Sequence, residues 1–286
     1  MKLNPKWLMP PPWLACPKIE RYSIGWRMGY GEDYLKRFRV WLEALSTEEQ
    51  VEYRTLFPEP VTWRGWWEDD KTGELWEHGD FAVEFWQPYG QPKYDKQWLQ
   101  QEMQKGNTHN FCMFWGHQPA KDGHLTQSCF SQWWLSEFWS VAHTYCCMEQ
   151  YMTVSKAKLF GDEEIMEEIL NSSDPKQIKA LGRKVKGFQQ DLWDQVKYSI
   201  VLNGNWCKFS QNQELQEFLL STGDSILVEA SPYDRIWGIG LSAHTQEAEN
   251  PWQWKGQNLL GFALMEVRDE LKRVTQNGTL CDWDMI

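Results

Sequence analysis

Leu227-Val228-Glu229-Ala230-Ser231-Pro232-Tyr233-Asp234-Arg235-Ile236-Trp237-Gly238-Ile239-Gly240 is the stretch on which the reading of this chain turns. Ile226–Glu229 has the length and apolar character of a short strand, and Ser231–Gly240 reads as the tight loop that follows it. Asp234 and Trp237 lie three apart in that loop, so both can face one ligand. Gly238 and Gly240 lack the third glycine of a dinucleotide fingerprint and open no βαβ unit. With no GxxxxGK[ST] anywhere in the chain, Rossmann and P-loop folds are disfavoured.

Around that loop the pattern is mostly helical. Apolar spacing predicts helices over Met148–Phe160, Glu163–Leu170, Pro175–Phe188, Asp191–Asn203, Asn212–Ser221 and Gly256–Arg273. Phe111–Trp115 reads as a strand and Ser128–Trp134 as an aromatic segment. Projected over Pro175–Phe188, Ile178, Leu181, Val185 and Phe188 share one side. Lys176, Lys179, Arg183 and Lys186 share the other, a solvated basic face or a phosphate-facing edge.

Upstream, the sequence is rich in Pro, Gly and aromatics. Helices are predicted over Asp33–Leu45 and Lys96–Met103, with a capped start at Ser46-Thr47-Glu48-Glu49. Short strands are expected around Glu74–Trp76 and Phe81–Trp86. The expected organisation is therefore an aromatic-rich α+β accessory region over 1–105, a mainly α domain with a few short strands over 106–274, and a loosely held tail over 275–286.

The 286 residues include 20 tryptophans, ten of them before residue 101. Most are expected to pack, because Trp is strongly buried on average. A net charge of -11 argues against a general polyanion-binding surface, while leaving room for a local basic pocket. Seven cysteines without a CxxC pair, and six scattered histidines, argue against a disulfide framework and a zinc site. No metal or cofactor is expected. Neither a signal peptide nor an apolar run long enough to span a bilayer is apparent, which reads as a cytoplasmic protein without membrane partners.

Glu149 and Lys156 are seven apart, two turns along one predicted helix face, so both can point into one cleft. A carboxylate beside a lysine lets one stabilise positive charge while the other attacks or donates a proton. The bland alternative is a helix-surface ion pair. Asp234 has its own structural alternative, capping the turn at Trp237.

From Cys112 onward, further blocks join these residues. They are Phe114-Trp115-Gly116, Cys129-Phe130-Ser131-Gln132-Trp133-Trp134, Glu149-Gln150-Tyr151 with Lys156-Ala157-Lys158-Leu159-Phe160, Ala180-Leu181-Gly182-Arg183, Lys208-Phe209-Ser210-Gln211-Asn212 and Trp254-Lys255-Gly256-Gln257-Asn258. In this order, with the opening stretch, they resemble the NADAR (YbiA-like) family over about residues 110–274. The resemblance implies a mainly helical YbiA-like domain and an N-glycosidase handling ADP-ribose-like ligands. The leading expectation is removal of ADP-ribose from guanine in a nucleoside or nucleic acid, as in toxin-antitoxin control. The alternatives are cleavage of phosphoribosylated riboflavin-pathway intermediates, or a non-catalytic NAD or ADP-ribose-binding module.

On this resemblance Lys156, Glu149 and Asp234 are the expected catalytic residues. Phe130, Ser131, Gln132, Trp134, Tyr151, Arg183, Lys208, Trp237, Gly238 and Asn258 are the expected substrate-binding residues. Arg183 and Lys208 would take phosphate, and Trp237, Phe130 or Trp134 would stack on the base. Residues 1–105 lie outside the resemblance and are a possible surface for a protein partner.

Overall fold

Parallel pairing of two short strands organises the helical part of the chain. In the computed structural model, which describes Leu3 and residues 7–68, 92–140 and 143–286, β1 (Phe111–Phe114) runs beside β4 (Ile226–Glu229). The register matches Phe111 with Ile226 and Phe114 with Glu229. Ile226, Leu227 and Val228 are buried, as expected of a strand covered on both faces. A second strand pair joins β2 (Phe138–Ser140) and β3 (His143–Tyr145). Among the described residues the other regular elements are helical, which agrees with the mainly α reading with a few short strands.

The chain divides into two compact units. The larger comprises the described residues of His78–Trp139 and His143–Arg268. Its centre is α5 (Met148–Leu159), packed against α6 (Glu163–Leu170), α7 (Pro175–Gly182) and α8 (Gln190–Ser210). Residues 148–155 and Ala157 of α5 are all buried, so this helix has no solvated face over its first two turns. Two glycines permit the close crossings. A Cβ on Gly204 of α8 would stand 2.5 Å from the Tyr151 ring, and one on Gly182 of α7 would stand 2.6 Å from Thr153 Cγ2. The Gln150 amide caps the end of α6 by donating to the carbonyls of Ile169 (3.0 Å) and Ser172 (2.9 Å). α4 (Lys96–Gln104), capped by Asp95, and α9 (Gln213–Ser221) complete this unit together with the first turns of α10 (Leu259–Thr275).

The smaller unit comprises the described residues of Met1–Glu77, Ser140–Ala142 and Asp269–Ile286. α1 (Pro12–Ala15), α2 (Tyr30–Glu43) and α3 (Thr47–Leu56) surround an aromatic core. Ser46 and Glu49 form the expected capping box of α3. Trp13 meets Trp63 and Trp67 edge-on at 5.5 and 5.4 Å, and Trp26 meets Trp63 at 5.5 Å. Such edge-to-face contacts between rings favour a specific packing over a fluid one.

Two expectations change, and the aromatic segment gains a local structure. Helix α7 ends at Gly182, six residues before Phe188, so the basic residues from Lys176 to Lys186 form no single helical face. The segment after Val274 is not loose: Cys281 is buried and pairs with Leu8 in a parallel bridge, and the Asp282 N–H donates to the Leu8 carbonyl at 2.8 Å. The aromatic run before Trp134 is a short 3-10 helix, Gln127–Phe130, held by the Thr126 side chain. The strands expected around Glu74–Trp76 and Phe81–Trp86 lie outside the described residues. Among the described residues no helix is long and apolar enough to cross a membrane.

A candidate active site at the ends of the parallel strands

Helix α5 supplies the first half of the site. Its N-terminus is fixed by the Glu149 N–H, which donates to the Gln132 carbonyl at 2.9 Å, so the Phe-Ser-Gln loop and the helix start move as one. Glu149 is buried, only 4% exposed. Burial raises its carboxyl above the usual range, while Lys179, the Trp133 indole N–H and Arg183 favour the anion. Two turns on, the Lys156 Nζ donates to the Gly182 carbonyl at 2.9 Å and lies 4.2 Å from the Phe188 ring centroid. Burial lowers its pKa, opposed by the attraction of Glu149. Glu149 and Lys156 therefore act on each other electrostatically from the face of α5 that α7 covers, rather than as a solvated surface pair.

The end of β4 supplies the second half. The backbone of Glu229 is held on both sides, its N–H by Asn258 Oδ1 and its carbonyl by the Ile239 N–H, each at 2.9 Å. Gly238 passes so close that a Cβ there would stand 2.7 Å from that carbonyl. Asp234 Oδ1 accepts from the N–H groups of Ile236 and Trp237, both at 2.8 Å. This is the turn-capping geometry of an aspartate in a tight loop. Asp234 raises the carboxyl pKa of both Glu149 and Glu229.

Glu229 is the site residue that sequence reasoning missed. Its carboxyl pKa is pushed up to about 8 by burial, then by Asp234 and Glu149, with Lys179 opposing. Its Oε2 is buried and has no hydrogen-bond partner. The available signal was a carboxylate ending an otherwise apolar strand, just where a parallel strand opens onto a crevice. Lys179 is the second addition. It lies on the basic stripe that the sequence leaves as solvated or phosphate-facing; its Nζ lies 5.4 Å from the Trp133 ring centroid and its charge acts on both glutamates.

The other expected binding residues divide. Arg183 is exposed at the C-terminus of α7 and acts on Glu149 from there. Trp237 and Trp134 are half-buried, and Ser131 Oγ accepts the Trp133 N–H at 3.2 Å. Gln132 is buried with its Oε1 unpartnered. Tyr151 packs between Phe138 and Tyr145, at 5.9 and 5.1 Å. Gly238 serves the backbone approach described above. Three expectations are corrected. Phe130 is fully buried among Phe114, Phe209 and Phe218, so it has no free face for a base. Lys208 is fully buried and donates to the carbonyls of Cys129 (2.6 Å) and Ser131 (3.2 Å), so it braces the loop instead of meeting phosphate. Asn258 is fully buried and bonded to the backbone of β4.

Glu149, Glu229 and Asp234 thus converge with Lys156, Lys179 and Arg183 beside half-buried indoles. Carboxylates and cations acting on one another suit the cleavage of an N-glycosidic bond, and relatives named N-glycosidases place the chain among hydrolases acting on N-glycosyl compounds. The chain belongs to the NADAR domain family, which residues 113–272 match. It is 46% identical over 148 residues to an N-glycosidase of Acanthamoeba polyphaga mimivirus, covering 49% of this chain and 86% of that protein. It is 33% identical over 129 residues to the N-glycosidase YbiA of Shigella flexneri serotype 5b, covering 45% of this chain and 72% of that protein. Among solved structures, it is similar to the NMR structure of the E. coli protein YbiA, with a TM-score of 0.46 and 28% identity over 58% of this chain and 86% of that one.

Proposed function

We propose that this protein is an N-glycosidase that releases ADP-ribose from ADP-ribosylated guanine. The observation that carries the reading is the buried Glu149, flanked by Lys179 and Arg183 and set on one helix with Lys156. N-glycoside cleavage develops positive charge at the anomeric carbon, and a carboxylate held as an anion beside it stabilises that charge. Lys179 and Arg183, which favour the Glu149 anion against its burial, also suit a diphosphate, and Arg183 is exposed enough to meet one. Trp133, Trp134 and Trp237 offer indole faces to a purine. As the C1′–N bond breaks, its electron pair leaves with the base, the base nitrogen gains a proton, and the anomeric carbon takes the oxygen of water. Lys156 reaches this chemistry either as an ammonium that protonates the base or as a free amine that attacks the sugar.

The test is turnover. The protein is incubated with an ADP-ribosylated guanosine oligonucleotide and, separately, with phosphoribosylated riboflavin-pathway intermediates, and released ADP-ribose or ribose phosphate is measured. Release of ADP-ribose from the first substrate is expected. Release from the second alone reassigns the substrate. Tight ADP-ribose binding without turnover of either substrate makes the chain a binding module.

A further inference from the structure

We infer that Glu229 is the proton donor to the departing base. The assignment rests on the N-glycosidase reading and deepens it. Among the described residues the two glutamates of the site differ in what favours their anions. Burial and Asp234 raise the Glu149 carboxyl, but Lys179, the Trp133 indole N–H and Arg183 all oppose that rise. Glu229 has a buried Oε2 with no hydrogen-bond partner, stands at the open end of β4, and faces the negative charges of Asp234 and Glu149. Of the charged groups acting on it, only Lys179 on α7 favours its anion. Two carboxyls whose surroundings push their ionisation apart divide acid and anion roles between them. With a proton on Glu229, the Oε2 becomes a donor that no described group of the protein accepts, and a base nitrogen is the partner that fits it.

The step balances. The Glu229 proton passes to the base nitrogen as the C1′–N electron pair leaves with the base. The carboxylate left behind regains a proton when water adds at the anomeric carbon, directly or through solvent. The backbone of Glu229 is clamped by Asn258 and Ile239, so the carboxyl meets the substrate without a loop rearrangement. This role frees Lys156 to act on the sugar.

Glu229→Gln keeps the shape and removes the titrating proton. The experiment measures kcat against pH for the wild type, Glu229→Gln and Glu149→Gln on the ADP-ribosylated guanosine oligonucleotide, with melting curves and ADP-ribose affinity as controls. The wild type is expected to lose activity above about pH 8, following the ionisation of Glu229. Glu229→Gln should fold, keep ADP-ribose affinity, lose about 10²-fold or more in kcat, and show no such alkaline loss in its residual rate. Glu149→Gln should keep the alkaline loss. A Glu229→Gln variant with near wild-type kcat, or with the alkaline loss retained, overturns the assignment while leaving the N-glycosidase reading standing. A wild-type protein that releases no ADP-ribose overturns both.

Discussion

Asn258 grips the strand that carries Glu229: its Oδ1 accepts the Glu229 N–H and its Nδ2 donates to the Leu227 carbonyl, each at 2.9 Å. It does so from a left-handed backbone, φ 57°, at the entry to α10, a conformation asparagine adopts more readily than most residues. Asn258→Ala leaves both strand groups buried and unpaired at a strained position. Each unmet group costs about 1–3 kcal/mol, so with two of them the variant should lose about 2–6 kcal/mol in urea unfolding. Activity should fall beyond what the folded fraction explains, because Glu229 loses its anchor. A variant of wild-type stability would show that the clamp is not needed.

Lys156→Ala should fold normally and lose turnover. Its Nζ makes one hydrogen bond to the protein, to the Gly182 carbonyl, and an interaction of that kind contributes only about 1 kcal/mol to stability. Borohydride added during wild-type turnover should trap a sugar adduct on Lys156, seen as added mass on that peptide, since the lowered pKa favours the free amine. Turnover without an adduct would return Lys156 to a proton-donor role, in competition with Glu229.

Gly182→Ala probes the spacing of α5 and α7. The new Cβ would stand 2.6 Å from Thr153 Cγ2, so the helices must part. Overpacking of this kind costs about 1–3 kcal/mol. The same displacement moves the carbonyl that holds Lys156, so kcat should fall more than ADP-ribose affinity. Equal activity at reduced stability would separate the helix contact from the chemistry.

Lys208 gives a pH signature. Burial lowers its pKa to about 8 in the folded protein, against about 10.4 in an unfolded chain. Below pH 8 the cation is present in both states, and its burial opposes folding. Between about 8 and 10.4 the unfolded chain binds more protons than the native one, so this group's contribution to stability rises with pH, by up to about 1.4 kcal/mol per unit. The difference in unfolding free energy between Lys208→Met and the wild type isolates it. The advantage of the methionine variant should shrink steadily from pH 8 to 10. A difference independent of pH would mean that burial does not shift the Lys208 pKa, the lysine being equally protonated in the folded and unfolded chains.

Much of the helical pattern was legible because the apolar spacing is local. Met148 and Glu163 start helices where expected, and Ile226–Glu229 is the strand that was read. The break at Gly182 was not legible. The apolar period continues past it to Val185, but the chain turns there instead, with the Lys186 N–H donating to Asp162 Oδ2 at 2.8 Å and Gly187 at φ 69°. The roles of Phe130, Lys208 and Asn258 escaped for a related reason. Their motifs match the family's blocks, but a block does not say whether a residue touches the ligand or braces the residues that do. Glu149 and Lys156 were legible because two helical turns place them on one side whatever surrounds the helix.

By itself the sequence determined the local order of this protein: helices from a 3.6-residue period, a short buried strand, a tight Asp-capped loop, and motif blocks in the order of the NADAR family. These follow from chemistry within a few residues of each position. The tertiary structure alone decided which charges share a pocket. Glu229, Lys179 and Glu149 come from β4, α7 and α5, far apart in the chain, and their ionisation depends on mutual distance and on exclusion of water. Those quantities exist only once the helices have closed around the strand end, and they decide how far each carboxyl is raised above its usual range.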